Sequence, residues 1–363
     1  MAPSTYFPFF CSLVFTPGFW TNPIQCKPRL VINQDFPDPA LLTTPDAYYA
    51  FGTNNFGKRV QVAKSIDFES WTVLDVDALA GVGPWEKEEN TWAPGVIIRD
   101  DGRLVLYYSG VSKYANGRHC IGGAITEGTD PAGPYFPLDD PIACHIDNGG
   151  SIDAVGFLDQ DDSRYVLYKI DGNAVGNGGD CGNSVPPLAS TPIMLQKLEA
   201  DAVTKIGDPM IILDRDDSDG PLVEAPSLVL VNGVYFLFYS SHCYSSPQYD
   251  VKYATSRSIT GPYKKVGPPL LKTGDFGLTS PGHAEVSPDG TRMLFHANCE
   301  GKSGRCMYAM PLFIHDETVS ILGRPDPLPA HPEAPSPPPQ MNPEAPSPPP
   351  EMNPEAPYSS PAN

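Results

Sequence analysis

Short apolar runs recur along this chain in pairs, each pair divided by a few turn-forming residues. The clearest pair is Ser227–Val231 and Val234–Tyr239, joined by Asn232-Gly233. Asn-Gly between two apolar runs predicts a β-hairpin, because both central residues of a type I′ turn need positive φ. A carboxylate, Glu224, stands just before the first run. The arrangement returns in four other places. Asp38-Pro-Ala-Leu-Leu leads through Pro45-Asp46 to Tyr48–Phe51, and Trp92-Ala-Pro-Gly-Val-Ile-Ile leads through Asp101-Gly102 to Leu104–Tyr108. Asp153-Ala-Val-Gly-Phe-Leu leads through Asp159–Ser163 to Tyr165–Tyr168, and His283-Ala-Glu-Val through Asp289-Gly290 to Met293–His296. The leading residues, 38, 92, 153, 224 and 283, recur every 54–71 positions. A repeat of that length built from short strands is the signature of radially repeated sheets, with a plain array of hairpins in a β-sandwich as the competing reading. No long segment of residues 27–324 has helical period. The predicted fold is all-β, a five-bladed β-propeller.

Five blades around an axis bring the start of every innermost strand to one end of a channel. Asp38, Trp92, Asp153, Glu224 and His283 are therefore expected to face one another: three carboxylates, an indole and an imidazole. Two carboxylates across a sugar-sized gap are the minimum equipment for hydrolysing a glycosidic bond, one protonating the leaving oxygen and the other activating water. A third carboxylate beside the acid would raise its pKa by like-charge repulsion. The indole offers an apolar face for a sugar. His283 is either a metal-associated ligand on the axis or a hydrogen-bonding residue. No Gly-x-Ser-x-Gly elbow, His-Glu-x-x-His or dinucleotide fingerprint occurs. The Gly-rich stretch Gly176–Gly182 lacks a following helix and a closing Lys-Ser/Thr, so it reads as a loop at the channel rim rather than a phosphate cradle. Asp130-Pro-Ala-Gly-Pro-Tyr135 and Ile259-Thr-Gly-Pro-Tyr263 echo each other late in their repeats, as turns before outer strands.

The formal charge of −19 argues against nucleic-acid and anionic-membrane partners and suits a neutral ligand such as a sugar. Residues 1–26 are aromatic and apolar but carry no Lys or Arg before Lys27, and Pro8 and Pro17 interrupt them; they read as an atypical signal peptide. Residues 27–324 are the expected globular domain, and a monomer is expected. From residue 325 the chain becomes a Pro-rich tail in which an eleven-residue unit, Pro-Glu-Ala-Pro-Ser-Pro-Pro-Pro-(Gln or Glu)-Met-Asn, repeats. That composition predicts an extended or disordered segment. Of the eight cysteines, six would remain if the leader were removed near Cys26. Cys299 and Cys306 flank a hairpin-like loop that a bridge could close. Cys120–Cys144 and Cys181–Cys243 complete the set, although connectivity does not follow from sequence. This usage favours a secreted, disulfide-bonded protein.

Gln34-Asp-Phe-Pro-Asp-Pro-Ala40, Gly150-Ser-Ile-Asp-Ala-Val-Gly156 and Leu222-Val-Glu-Ala-Pro-Ser227 resemble the three acidic motifs of glycoside hydrolase family 43. Thr91-Trp-Ala-Pro94 and Pro281-Gly-His283 resemble further family segments, in the same order along the chain. The resemblance implies a five-bladed propeller and an inverting hydrolase acting on arabinose- or xylose-containing plant polysaccharides. An arabinofuranosidase or arabinanase is the first reading, a β-xylosidase the second, and a non-catalytic carbohydrate-binding propeller the third. By motif position Asp38 would be the general base, Glu224 the general acid, and Asp153 the group that tunes and orients the acid. Trp92, Phe36 and Ile152 would contact the sugar. No cofactor is implied for the chemistry, but the family's central calcium or similar ion would lie near His283.

Overall fold

The computed structural model describes residues 11–12, 25–115 and 117–321. The Pro-rich tail and most of the leader lie outside the described residues. Five antiparallel sheets follow one another along the chain. Blade 1 comprises Ala40–Thr43, Tyr48–Gly52, Gln61–Ser65 and Thr72–Val73; blade 2 comprises Glu86–Ile98, Leu104–Ser112, His119–Thr126 and Tyr135–Pro137. Blade 3 comprises Ser151–Leu158, Arg164–Ile170, Ile193–Leu198 and Lys205–Leu213. Blade 4 comprises Val223–Val231, Val234–Ser241, Asp250–Ser256 and Lys264–Lys265, with Leu271–Lys272 beside its third strand. Blade 5 has Gly282–Val286, Arg292–Asn298 and Arg305–Pro311, and its outermost strand is Arg29–Ile32 from the start of the propeller. That pairing closes the ring, so first and last repeats share a sheet. The fold is a five-bladed β-propeller.

The turn chemistry forms the hairpins as expected. Asn232 and Gly233 have φ of 50° and 75°, and Val231 pairs with Val234 across them. The second strand of each blade is covered on both faces, which explains its continuous apolar run in place of alternation: every residue of Leu104–Ser112, Arg164–Ile170 and Val234–Ser241 is buried. The buried apolar residues form five clusters, one at each contact between neighbouring blades, including the contact between blades 5 and 1. Blades 2 and 3 approach so closely at Gly95 that a Cβ there would lie 2.2 Å from the Ala154 carbonyl oxygen. The two echoing segments precede outer strands, as read from sequence. In each a Tyr hydroxyl turns back onto a carbonyl four residues earlier, Tyr135 onto Pro131 and Tyr263 onto Ile259.

The disulfides Cys120–Cys144, Cys181–Cys243 and Cys299–Cys306 are formed, matching the three expected pairs. Cys26 is disulfide-bonded as well, so the bridged set extends beyond those six.

Candidate active site

At the head of each innermost strand one residue adopts positive φ: Asp38 (55°), Ala93 (42°), Asp153 (60°), Ala225 (54°) and His283 (48°). In blades 2 to 5 the strand register shifts there, so each is a bulge. A non-Gly residue in this conformation costs about 1–2 kcal/mol, and bulges of this kind re-aim side chains next to functional sites. The backbone N–H of each donates to a side chain of the preceding blade. Asp38 reaches His296 Nδ1 (3.1 Å), Ala93 reaches Thr53 Oγ1 (2.9 Å), and Asp153 reaches Ser109 Oγ (3.1 Å). Ala225 reaches Asp153 Oδ2 (3.0 Å) and His283 reaches Ser240 Oγ (2.8 Å). A closed circle of five inter-blade hydrogen bonds therefore carries the candidate residues. The backbone equivalents are 38, 93, 153, 225 and 283, so Trp92 and Glu224 each precede the bulge residue by one. The expected single ring is two staggered positions.

All five leading residues nevertheless line one cavity of about 440 Å³. Ile152 lines it too, with Lys169, Asp171, His119, Tyr244 and Arg305. Phe36 does not. It is fully buried in the cluster between blades 5 and 1, its ring filling the space over Gly52. Trp92 forms a wall by stacking on the His119 imidazole, centroids 3.8 Å apart.

The two sides of the cavity differ in charge. Asp38 Oδ1 accepts from Arg305 Nη1 at 2.7 Å, and Oδ2 accepts from Thr53 Oγ1 at 2.6 Å and from Arg305 Nη2 at 3.3 Å. Burial alone would raise the Asp38 carboxyl, but Arg305 with its further partners outweighs burial and holds it well below the usual carboxylate range. On the other side burial and the Glu224 charge push the Asp153 carboxyl well up, against the opposing pull of Lys169. The fully buried Lys169 sends its ammonium to Glu224 Oε2 (3.0 Å) and Asp171 Oδ1 (3.3 Å). Burial disfavours that ammonium, yet Glu224, Asp171 and Asp153 keep it protonated, its pKa raised.

His283 Nδ1 lies 3.4 Å from Asp38 Oδ1, and burial pushes its pKa down, leaving a neutral ring at neutral pH. His296 accepts the Asp38 N–H at Nδ1, so its proton sits on Nε2, which is buried without a hydrogen-bond partner. A protonated nitrogen donates and does not ligate a cation. Among the described residues no group of three or more His, Cys, Asp or Glu side chains could hold an ion.

The mouth is built from loops joining second and third strands, tied in sequence around the rim. Asn54 and Thr91 join blades 1 and 2, and Arg118 donates to the Ala174 carbonyl (2.6 Å) between blades 2 and 3. The Cys181–Cys243 disulfide joins blades 3 and 4, placing the Gly-rich loop at the rim as expected, and Arg305 lies 5.0 Å from the Tyr244 ring between blades 4 and 5. Asp35 accepts from the Arg305 N–H (2.7 Å) and from Asn55 Nδ2 (2.6 Å), linking blades 5 and 1.

Sequence reasoning did not find Arg305, Thr53 or Lys169. Thr53 and Lys169 end second strands, at the positions where blades 2, 4 and 5 carry Ser109, Ser240 and His296. Aligning those strand ends would have exposed them. Arg305 lies in the Cys299–Cys306 loop and had no repeat signal.

The family model described as "Glycosyl hydrolases family 43" matches residues 28–316. The "Extracellular endo-alpha-(1->5)-L-arabinanase 1" of Bacillus subtilis (strain 168) is 28% identical over 272 residues, 71% of this chain and 76% of that protein. The "Beta-D-galactofuranosidase xynD" of Aspergillus niger is 28% identical over 252 residues, 62% of this chain and 61% of that protein. Among solved structures, a thermostable family-43 glycoside hydrolase superposes with a TM-score of 0.67 at 26% identity, covering 81% of this chain and 95% of that one.

Proposed function

The chain belongs to glycosyl hydrolase family 43 and is a glycoside hydrolase, and on that premise we propose that it is an inverting enzyme cleaving α-L-arabinofuranosyl linkages in arabinan. The observation that carries this reading is the charge asymmetry of the cavity: Asp38 held ionised by Arg305, opposite Asp153 and Glu224, two carboxyls whose burial and like charge favour one shared proton. Asp38, with a lone pair free on Oδ1, takes the proton of a water attacking the anomeric carbon. Glu224, carrying the one proton shared by the two carboxyls, gives it to the departing glycosidic oxygen and regains one from solvent as product leaves. Asp153 positions Glu224 through the N–H of the next residue, Ala225. Trp92 and Ile152 provide the apolar wall for the sugar. The mechanism uses no metal step.

The choice of sugar rests on the named substrates of the relatives. An arabinose linked through O5 must be a furanose, because O5 closes the ring of a pyranose. The Bacillus arabinanase and the Aspergillus galactofuranosidase therefore both act on furanosides. The disulfides and the extracellular Bacillus relative support secretion, and a plant polysaccharide is the partner that fits. The test is to incubate purified protein with linear α-1,5-arabinan and with xylan and to follow the first product by NMR. Release from arabinan of the β-anomer is expected. Turnover of xylan alone, or release of the α-anomer, would overturn the reading.

A further inference from the structure

Three large aromatic side chains stand out from the rim: Phe56 on the blade 1 loop, Tyr114 on the blade 2 loop and Tyr244 on the blade 4 loop, 63%, 76% and 48% exposed. Tyr244 already lines the cavity, and the loop carrying Tyr114 contributes Gly117 to its wall. Phe56 is the informative one. Asn55 and Lys58 pair across a two-residue tip in which Phe56 and Gly57 both have positive φ, 51° and 76°. That is a type I′ turn, whose first central position favours Asn, Asp or Gly, and this chain uses Asn232-Gly233 for the same turn in blade 4. A bulky residue in that conformation is a genuine outlier, and such strain collects at functional sites. Its cost is not recovered by burial, since most of the ring is in solvent. The Asn55 side chain accepts from the Phe56 N–H (2.7 Å) and donates to Asp35, so the displayed ring is tied to the Arg305 backbone. Thr53, three residues before Phe56, touches Asp38.

We propose that Phe56 and Tyr114 are outer sugar-binding platforms, on which arabinan units beyond the cleaved bond lay their C–H faces. Blades 1 and 2 are neighbours, and blade 4 lies across the mouth from them. A polymer crossing the cavity is then gripped at Tyr244 on one side and at Phe56 and Tyr114 on the other, so cleavage falls inside the chain. This rests on the arabinan reading above and deepens it.

The test compares kcat/KM on linear arabinan with kcat/KM on an aryl α-L-arabinofuranoside too short to reach the rim. Phe56→Ala and Tyr114→Ala should each lower the arabinan-to-aryl ratio about tenfold, and the double variant by more than either. Phe136, an exposed aromatic (43%) on the outermost strand of blade 2, serves as control. Phe136→Ala should leave the ratio unchanged. Phe56→Asn adds a second readout: Asn suits positive φ, so this variant should raise the melting temperature while lowering the ratio. A ratio unmoved in the double variant, or Phe56→Asn destabilising the fold, would overturn the proposal. A wild type inert on arabinan but active on another polysaccharide would instead sink the substrate reading, and the same ratio on that polymer would still test the rim.

Discussion

The Lys169 ammonium donates to Glu224 Oε2 at 3.0 Å from the position where the other four blades place a hydroxyl or an imidazole. Thr53, Ser109, Ser240 and His296 each accept the N–H of the positive-φ residue of the next blade. A lysine has no lone pair to offer, so the Ala225 N–H turns to Asp153 instead. The fivefold backbone pattern is thus broken by one side chain, where the two acids meet. The break puts a buried cation beside Glu224 and Asp171 and ties Asp153 to the backbone that carries Glu224.

Removing that cation should be costly. Lys169→Met leaves Glu224 and Asp171 buried without their counter-charge, and breaking a buried pair in this way costs about 3–5 kcal/mol. Urea unfolding at pH 7 should show that loss, and Lys169→Met/Glu224→Gln should recover part of it, because one unpaired charge is then gone. An equal loss in both variants would mean that Lys169 acts through packing rather than charge.

Asp38→Asn should lower turnover at least a thousandfold, the upper range for loss of a positioned general base. The amide keeps one acceptor oxygen, but its NH2 group then faces a donor that the other carboxylate oxygen accepted and Arg305 loses its counter-charge, so the melting temperature should fall while the fold persists. Near-normal kcat with an intact fold would remove Asp38 from the mechanism.

Glu224→Gln should hurt arabinan far more than an aryl arabinofuranoside with a good leaving group, because only the poor leaving group needs protonation. The variant keeps a carbonyl oxygen for Lys169 to bind. Comparable losses on both substrates would assign the proton donor elsewhere.

Much of this architecture was legible in the sequence because its signals are local. Asn232-Gly233 and its equivalents announce hairpins through turn chemistry, and counting from those turns brings Asp38, Asp153, Glu224 and His283 to one end of the molecule. The one-residue offset at Ala93 and Ala225 was not legible, since alanine carries no mark of positive φ. Phe36, expected at the sugar, does not line the cavity. Asp38, at positive φ, lines the cavity, while the Phe36 ring packs into the gap that the missing side chain of Gly52 leaves in the core. Arg305 comes from a third strand by a path that depends on ring closure, which no local pattern encodes.

The Cys181–Cys243 bridge ties the rim loops of blades 3 and 4 across a 62-residue separation, and Cys181 itself lines the cavity. Its loop-closure contribution is at most about 4 kcal/mol. Replacing both cysteines by serine should lower stability toward that limit and raise KM more than it lowers kcat, because the chemistry sits deeper than the rim. A fall confined to kcat would show that the bridge positions the catalytic groups.

Glu285 follows His283 by two residues on the innermost strand of blade 5, and Ser227 stands at the equivalent place in blade 4, two beyond Ala225. Burial pushes the Glu285 carboxyl up to about 8, with only the Ser227 hydroxyl opposing. The ordinary value of 4.5 applies to the unfolded chain. Between those two values the native state keeps a proton that the unfolded state has released. Unfolding free energy from this group must then fall as pH rises, by up to about 1.4 kcal/mol per unit. The side chain keeps some solvent contact, so a total of about 2 kcal/mol between pH 4.5 and 8 is the expected size. Glu285→Gln retains the Ser227 partner and cannot titrate. Its stability should match wild type at pH 4 and exceed it at pH 8, read by urea unfolding at both. Parallel pH profiles for the two proteins would mean that Glu285 is already ionised in the native state, with a counter-charge or water reaching it along the axis.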